Sequence, residues 1–343
     1  MTLPWQDRRT FLGRALAGVG LVALARAAHI VAAGFGRGLA HAQEIWAQIA
    51  GLATEITPVG KFYTVSKNIF DPAIDARTWK LVVKGKVERP YDLTLDELRR
   101  LPSVTKPHTL MCISNEIGGD LISNAVWKGV PLKLILDRAG VRPGAAKLVL
   151  RARDGYSDSF PLNTALLDGT ILAYEMNGKP LERQHGFPAR ALVMGIYGIK
   201  NVKWLSELEV VDQDYKGYWQ ARGWSDSAIY KTFSRIDVPG PGMVLKRGER
   251  NWLAGVAFAG DRGIRAVEVS VDGGKAWQPA RVKPAMGNHT WALWAFEWIP
   301  ATPGTATLMV RAVDGTGAAQ PVGPTPPLPD GVEGLHSVSV NVT

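Results

Sequence analysis

Cysteine is nearly absent from this sequence: Cys112 is the one cysteine among 343 residues. An intrachain disulfide is therefore excluded, and so is a c-type haem site in this sequence, because that site needs a Cys-x-x-Cys-His motif. A lone thiol is most often a small buried hydrophobe; the alternative is a thiolate that binds a metal or acts as a nucleophile. The flanks favour the alternative, because a strand-like apolar stretch ends at Cys112 and a polar loop with Gly118 and Gly119 follows it.

Long runs of a single charge sign are also missing. The net charge of +9 arises from 40 Lys and Arg against 31 Asp and Glu, and residues 1–42 account for +4 of it. No basic cluster of the kind that binds nucleic acid is present, and the mild excess that remains fits an anionic cofactor better than an anionic polymer. With 46% hydrophobic and 21% charged residues, the composition is that of a globular protein long enough for two domains.

The N-terminal region lacks the uninterrupted run of roughly 20 apolar residues that a membrane-spanning helix needs, since Arg26 separates two shorter stretches. Residues 1–42 are instead predicted to be an export signal. Arg8-Arg9-Thr10-Phe11-Leu12 is similar to the twin-arginine motif, and Ala40-His41-Ala42 is a small-x-small cleavage site. The sequence thus predicts a periplasmic or other extracytoplasmic protein. An uncleaved signal that anchors the chain to the membrane is the alternative.

Residues 43–238 mix strand-like and helix-like patterns, which predicts an α+β domain with its functional residues in loops. Thr94 and Glu97 form a capping-box pattern at the start of a short helix that Pro102 ends, and Gly140 is a stop signal for a second helix. The predicted elements are strands at 78–85, 147–153 and 191–194 and helices at 93–102 and 132–139.

Proline and glycine alternate at Pro239-Gly240-Pro241-Gly242, and this segment is the predicted domain boundary. Residues 243–343 then read as short strands separated by turns, for example at 267–271, 291–298 and 308–315. This pattern, over about 100 residues, predicts an immunoglobulin-like β-sandwich, without the cysteine pair of antibody domains.

Three ordered blocks of sequence lie between residues 112 and 205. They are Cys112-Ile113-Ser114-Asn115 with Gly118-Gly119-Asp120 and Trp127–Leu132; Ala173–Gly178 with His185–Arg190; and Gly195–Leu205. Together they resemble the sulfite oxidase family, and the resemblance extends from about Phe62 to the C-terminus. It implies an α+β fold, in which a mixed α/β sulfite oxidase-type molybdopterin-binding domain is followed by the immunoglobulin-like domain, which in this family is a dimerisation domain.

The resemblance also implies a cofactor. In the family, the cysteine at the position of Cys112 binds molybdenum beside a pyranopterin dithiolene, so Mo-molybdopterin with one molybdenum per chain is expected, and no haem in this chain. The implied cofactor-binding residues are Thr64, Val65, Ser66, Lys67, Asn68, Cys112, Asp154, His185, Arg190, Asn201, Val202 and Lys203. The implied catalytic residues are Cys112, Lys67, Arg222 and Trp224, and Cys112 is the implied metal ligand.

The residue chemistry agrees with an anionic cofactor. Its phosphate needs cations, and His185, Arg190 and Lys203 supply them. Arg190 and Lys203 stand inside hydrophobic segments, where a charge is costly unless it is paired. For Asn201 and Val202 the expected contribution is a backbone N–H donor.

The sequence departs from the family pattern at three places. Sulfite oxidases carry an arginine and an asparagine where this chain has Ser66 and Lys67, arginines where it has Glu116 and Ile117, and a catalytic Asp-Tyr pair where it has Gly223-Trp224.

These departures weaken the case for sulfite as the substrate. A small anion needs converging cations in a dehydrated pocket. Lys67 and Arg222 are the cations that would compensate, although lysine does not reproduce bidentate arginine recognition. Glu116 either points inward, where its charge would oppose an anion, or points to solvent.

The sequence therefore predicts an exported molybdenum oxidoreductase that transfers an oxygen atom, similar to sulfite oxidase or sulfite dehydrogenase, with a small oxyanion or oxide as substrate. Two alternatives stay open: a reductase of sulfoxides or related neutral oxides, and a non-enzymatic exported binding protein in which Cys112 is merely buried. Because the sequence has no c-type haem motif, electrons are expected to pass to a separate partner, a c-type cytochrome or a membrane component. The resemblance implies a homodimer, and no nucleic-acid partner is expected.

Overall fold

The computed structural model describes residues 45–343, so the predicted export signal at 1–42 lies outside the described residues. Residues 53–343 form one compact unit. No helix within residues 45–343 is long and apolar enough to cross a membrane.

Two β-sheets and three short helices make up the N-terminal part of this unit. The strands are β1 (Lys80–Gly85), β2 (Tyr91–Thr94), β3 (Val104–Met111), β4 (Ile122–Pro131), β5 (Lys147–Ala152), β6 (Ser157–Pro161), β7 (Ile171–Met176), β8 (Lys179–Pro180), β9 (Arg190–Leu192) and β10 (Leu205–Val211). The helices are α1 (Leu95–Arg100), α2 (Leu132–Ala139) and α3 (Leu162–Ala165).

One sheet has the strand order β2-β1-β10-β5-β6, in which β1 and β10 are parallel and the other neighbours are antiparallel. The other has the order β3-β4-β7-β8, with β9 also paired to β7, and is antiparallel. Apolar side chains of the first sheet pack against α2, so that Leu81, Val83, Leu208, Ile135 and Leu136 are fully buried in one core.

The local signals for α1 and α2 are confirmed. The Thr94 hydroxyl accepts from the Glu97 N–H at 3.3 Å, and the Glu97 carboxylate accepts from the Thr94 N–H at 2.9 Å, which closes the capping box. Gly140 ends α2 with a φ of +69°, a conformation that a side chain would disfavour.

Strand β9 differs from its prediction: it spans Arg190–Leu192 rather than 191–194. The Val193 N–H donates to the Asn201 side-chain oxygen at 2.7 Å, so its hydrogen bond goes to a side chain rather than to a neighbouring strand.

The C-terminal part is a β-sandwich of two sheets, which agrees with the predicted immunoglobulin-like class. Its strands are β11 (Phe233–Val238), β12 (Val244–Leu245), β13 (Asn251–Phe258), β14 (Ile264–Ser270), β15 (Gln278–Pro279), β16 (Arg281–Val282), β17 (Ala292–Trp298), β18 (Gly304–Asp314) and β19 (His336–Val342). The sheet orders are β11-β13-β17-β16 and β12-β19-β18-β14-β15. Trp294, Leu253, Val269, Leu308 and Val310 fill the space between the sheets.

The predicted boundary at 239–242 falls inside this sandwich. Strand β11 precedes the boundary in sequence, yet it pairs with β13 across Phe233–Phe258 and Ile236–Gly255. Proline and glycine at this segment therefore connect two strands of the sandwich rather than two domains.

Strand β3, which leads to Cys112, is fixed against the sandwich. The Thr109 N–H donates to the His289 carbonyl at 2.9 Å, and the Thr109 hydroxyl accepts from the Trp291 N–H at 2.9 Å. Beyond the cysteine, the Arg235 guanidinium donates to the Gly119 carbonyl at 2.8 Å. Both chain segments that flank Cys112 are thus held by residues from the C-terminal half of the sequence.

Candidate functional site

A cavity of about 320 Å³ lies at the end of β3 and collects most of the residues singled out from the sequence. The predicted site residues that line it are Thr64, Val65, Ser66, Lys67, Cys112, Asp154, His185, Arg190, Asn201, Val202, Lys203 and Trp224. Five segments of the sequence, at 64–67, 112, 154, 185–203 and 224, therefore converge on one volume.

Cys112 immediately follows β3 and is 9% exposed, with its sulfur 3.1 Å from the Ser114 hydroxyl. The loop after it is held by Asn115, whose side-chain oxygen accepts from the Leu121 N–H at 2.9 Å. A side chain at Gly119 would stand 2.5 Å from that same oxygen, so glycine is required for the close approach. The thiol is thus held in place where it can act as a metal ligand.

Arg190 is the buried cation of the site, with 6% of its surface exposed. It donates to the His185 carbonyl at 3.2 Å and to the Asn201 carbonyl at 3.0 Å, while its Nε has no hydrogen-bond partner. Burial lowers its pKa to about 10, so it stays charged at neutral pH. Within residues 45–343 no carboxylate pairs with it, and an unpaired buried charge is strongly unfavourable unless a ligand supplies the counter-charge.

Lys203 adds to the positive character of this end of the cavity, and His185 lies beside it. Lys203 Nζ donates to the Ser66 hydroxyl at 2.8 Å and to the Gln184 carbonyl at 3.0 Å. Burial, together with the charge of Arg190, lowers the pKa of Lys203 to about 8. His185 lies 3.2 Å from the Val59 carbonyl, which only accepts, so its Nε2 carries the hydrogen; burial and Arg190 lower its pKa.

Asn201 lines the cavity, but its polar groups are already used. Its side-chain oxygen accepts from Val193, its amide donates to the Tyr197 carbonyl at 3.0 Å, and its own N–H donates to the Gly198 carbonyl at 3.0 Å. Asn201 therefore shapes the loop between β9 and β10, in contrast to the expected role of a backbone donor to the cofactor.

Arg222 does not line the cavity, which corrects its expected place beside the substrate. Its guanidinium stacks on the Tyr218 ring at 3.7 Å and donates to the Tyr218 carbonyl at 2.7 Å, and the side chain is exposed. Lys67 does line the cavity, with its Nζ 5.1 Å from the centre of the same ring. Of the two compensating cations, only Lys67 is at the site.

Two further predicted residues lie beside the cavity rather than in its wall. Asn68 donates to the Asp154 carbonyl at 2.9 Å and so ties the 64–68 segment to the loop after β5. Glu116 is exposed, which decides between the two orientations considered for it. Neither it nor Ile117 faces the cavity.

Several aromatic and apolar residues line the cavity without having been singled out as site residues. They are Phe62, Tyr63, Leu110, Ile113, Tyr156, Ile199, Trp204 and Trp219. Burial raises the pKa of Tyr63 and of Tyr156, and Asp158 raises that of Tyr156 further, so both hydroxyls keep their protons. The signal that could have identified Tyr63 and Tyr156 was their position in the sequence, next to the predicted site residues 64–68 and Asp154.

Residues 68–219 match the family described as oxidoreductase molybdopterin binding domain, and residues 227–328 match the Mo-co oxidoreductase dimerisation domain. Chicken (Gallus gallus) sulfite oxidase is 32% identical over 318 residues, covering 78% of this chain and 68% of that protein.

Mouse (Mus musculus) mitochondrial sulfite oxidase is 31% identical over 314 residues, and the match spans 57% of its length and 78% of this chain. The crystal structure of the sulfane dehydrogenase SoxCD from Paracoccus pantotrophus superposes with a TM-score of 0.75 at 25% identity, covering 85% of this chain and 84% of that one. Sequence matches and fold agree, and the chain belongs to the sulfite oxidase family of molybdopterin-binding oxidoreductases.

Proposed function

We propose that this protein is a molybdenum-dependent oxidoreductase that transfers an oxygen atom to or from a small sulfur compound. The observation that carries the proposal is that Cys112 and Arg190 line one cavity: a buried thiol for a metal and a buried cation with no counter-charge among the described residues. Family membership supports the same reaction class.

The residues present fit Mo-molybdopterin. Cys112 would ligate the metal, and Arg190 and Lys203 would bind the anionic phosphate end, for which the unpaired Nε of Arg190 is a free donor. When bound, the cofactor supplies two-electron oxygen-atom transfer between water and the substrate. The protein's own part is to hold these charges, to fix the thiolate at the end of β3 and to exclude bulk water with the aromatic wall.

Molybdenum analysis combined with an activity assay tests this proposal. Purified protein is expected to contain about one molybdenum per chain, the family stoichiometry, and to reduce an artificial electron acceptor when sulfite is added. Cys112→Ser is expected to abolish turnover, while Met111→Leu, a volume-conserving change at the neighbouring buried position, retains it. Metal-free wild-type protein would instead favour the non-enzymatic binding protein, and a fully loaded, active Cys112→Ser variant would contradict the ligand assignment.

A neutral substrate is the second candidate, and the cavity wall favours it. In sulfite oxidases, arginines occupy the positions where this chain has Ser66, Glu116 and Ile117. Here these positions supply no positive charge, and the Glu116 side chain is exposed. Trp219 and Trp224 contribute apolar surface instead, and Lys67 is the cation that residues 64–67 add to the cavity wall. Sulfoxide-dependent oxidation of an artificial electron donor, without sulfite turnover, would establish this alternative.

We further propose that the protein is exported through the twin-arginine pathway and works outside the cytoplasm. The motif at Arg8-Arg9 and the site at Ala40-His41-Ala42 support this proposal. The expected mature protein begins at Gln43, as mass spectrometry of a periplasmic fraction would show. Arg8→Lys combined with Arg9→Lys is expected to leave the precursor unprocessed in the cytoplasm.

A homodimer and a separate electron carrier complete the proposal. The match of residues 227–328 to a dimerisation domain supports the first, and light scattering is expected to give the mass of two chains. The missing c-type haem motif supports the second, and reduction of an added c-type cytochrome upon substrate addition would identify the class of carrier.

A further inference from the structure

Tyr156 lines the cavity and begins a chain of polar groups that leads away from it. Its hydroxyl lies 2.9 Å from Asp158 Oδ2, and Asp158 Oδ1 lies 2.9 Å from Lys200 Nζ. Lys200 Nζ in turn lies 3.5 Å from Asp226 Oδ1. The Asp158 and Lys200 side chains are fully buried, whereas that of Asp226 is 34% exposed. The polar groups thus lead from the cavity wall to Asp226 Oδ1, a buried atom without a hydrogen-bond partner, whereas Asp226 Oδ2 pairs with Lys147 and Lys216.

The hydrogen bonds around Tyr156 leave room for an additional proton. Its single hydroxyl hydrogen faces two acceptors, Asp158 Oδ2 at 2.9 Å and the Ile199 carbonyl at 2.7 Å. A carbonyl oxygen only accepts. When Tyr156 donates to Ile199, the contact with Asp158 becomes favourable only if the carboxyl group carries a proton and donates it to the phenol oxygen.

The two oxygens of Asp158 have different partners. Oδ1 accepts from Lys200 and from the Ser159 N–H at 2.7 Å, while Oδ2 has Tyr156 as its partner. Oδ2 is therefore the atom that takes up a proton, and uptake there leaves the contact with Lys200 intact. Burial raises the pKa of Asp158 even though Lys200 lowers it, which favours the protonated form more than in an ordinary aspartate.

Asp226, at the outer end of this series of polar groups, has a lowered rather than a raised pKa. Burial by itself would raise the pKa of Asp226, but the ammonium groups of Lys216 and Lys147, at 2.8 and 2.9 Å, hold it at about 2. Asp226 therefore stays a carboxylate at neutral pH, and the proton path from the cavity ends at Asp158.

We propose that Tyr156 and Asp158 form a proton relay at the cavity wall, in which the Tyr156 hydroxyl passes a proton to Asp158 Oδ2 while Lys200 stays bound to Oδ1. The relay rests on the proposed function. Oxidation of a sulfur substrate by water gives the oxygenated product, two protons and two electrons; the electrons leave to the external one-electron carrier, one proton passes through Tyr156 to Asp158 Oδ2, and the other leaves to water. In the reductase direction Asp158 returns its proton through Tyr156 to the cavity.

A matched pair of variants tests the relay in the loaded enzyme. Tyr156→Phe keeps the ring but removes the hydroxyl, and Tyr215→Phe removes a comparable hydroxyl that bonds to Ser157 at 2.8 Å outside the cavity. We expect Tyr156→Phe to retain molybdenum, to lose at least about tenfold in kcat and to acquire a larger solvent isotope effect that small weak-acid buffers reverse. Tyr215→Phe is expected to keep the wild-type kcat and pH profile. Wild-type kcat and pH profile in Tyr156→Phe would overturn the relay, since a purely structural hydroxyl affects only thermal stability.

A second measurement does not depend on turnover and separates failure of the relay from failure of the proposed function. Infrared difference spectra recorded during a pH titration are expected to show a carboxylic acid band that titrates above the ordinary range of aspartate, disappears in Asp158→Asn and shifts in Tyr156→Phe. Should Asp158→Asn not fold, the shift in Tyr156→Phe assigns the band. If no sulfur compound is turned over, the proposed function fails, but the carboxylic acid band still supports the proton-carrying role of Asp158. If the band is absent from the wild-type protein, the relay is overturned whether or not the enzyme turns over.

Discussion

The buried end of the cavity around Arg190 and the exposed segment at 218–222 each hold an arginine, and they hold it differently. Arg190 is enclosed by backbone carbonyls, retains an unpaired Nε and has no carboxylate partner within residues 45–343. Arg222 stacks on Tyr218 at 3.7 Å with its charge in water. Arg190 also lies over an aromatic ring, that of Trp127 at 5.3 Å, so the two arginines differ in burial rather than in aromatic contact. A buried charge without a counter-charge indicates a missing anionic ligand, whereas water stabilises an exposed one.

The largest effect is expected for Arg190→Gln. Removing one side of a buried charge interaction costs about 2–5 kcal/mol, and every 1.4 kcal/mol corresponds to about a tenfold change in affinity. Molybdenum and pterin content of the purified variant should therefore fall sharply. Arg262→Gln, which removes a partly buried arginine paired with Asp314 at 2.8 Å outside the cavity, serves as the control for general destabilisation. If Arg190→Gln retained its full cofactor content, Arg190 would be no more important for cofactor binding than the exposed Arg222.

A pH effect is expected next, through Lys203. Its pKa of about 8 in the ligand-free protein means that its positive charge disappears as the pH rises through that value. A bound anion favours the charged form and moves the transition to higher pH. Cofactor retention during alkaline dialysis should thus decrease in the wild type, and less in Lys203→Arg, whose guanidinium remains charged. If the wild type and Lys203→Arg lost equal amounts of cofactor at alkaline pH, the titrating group would be a residue other than Lys203.

Lys67→Gln is expected to have a smaller effect, confined to substrate binding. Lys67 is half-buried at the cavity wall, and partly exposed charge pairs contribute about 0.2–1 kcal/mol. KM for an anionic substrate such as sulfite should rise less than about tenfold, KM for a neutral sulfoxide should stay constant, and molybdenum content should be unchanged. Lys61→Gln, an exposed lysine outside the cavity wall, is the control.

Arg222→Gln should change least. Surface substitutions away from special features usually remain within about 0.5 kcal/mol, so kcat/KM should stay within about threefold of wild type. A loss comparable to that of Arg190→Gln would mean that Arg222 enters the cavity during turnover and that exposure in this structure does not describe its working position.

Local structure was predictable from the sequence where the signals are themselves local. The capping box of Thr94 and Glu97 and the αL stop at Gly140 depend on residues within one turn of each other, and both are confirmed. The end of β9 was not predictable in this way, because a side chain eight residues away, that of Asn201, takes the hydrogen bond of Val193.

The candidate site was predictable to a similar extent. The order of motifs was sufficient to select Cys112, Arg190 and Lys203, which the structure places around one cavity. Arg222 was assigned by proximity to Trp224 in sequence, and stacking on Tyr218 holds it outside. Tyr156 was overlooked because its significance lies in contacts to Asp158 and the Ile199 carbonyl, and the latter is 43 residues away.

The sequence by itself determined the chemical inventory of this protein: one thiol at the end of an apolar strand, cations inside hydrophobic segments, and ordered blocks that identify the family. Only the tertiary structure decided which of these charges are buried, which are paired and which share a cavity. Lys203 meets Ser66 across 137 residues, and Lys200 meets Asp158 across 42. Desolvation and pairing depend on such distant contacts, so the energy of each charge, and with it the role assigned to the residue, emerges only when the chain has folded.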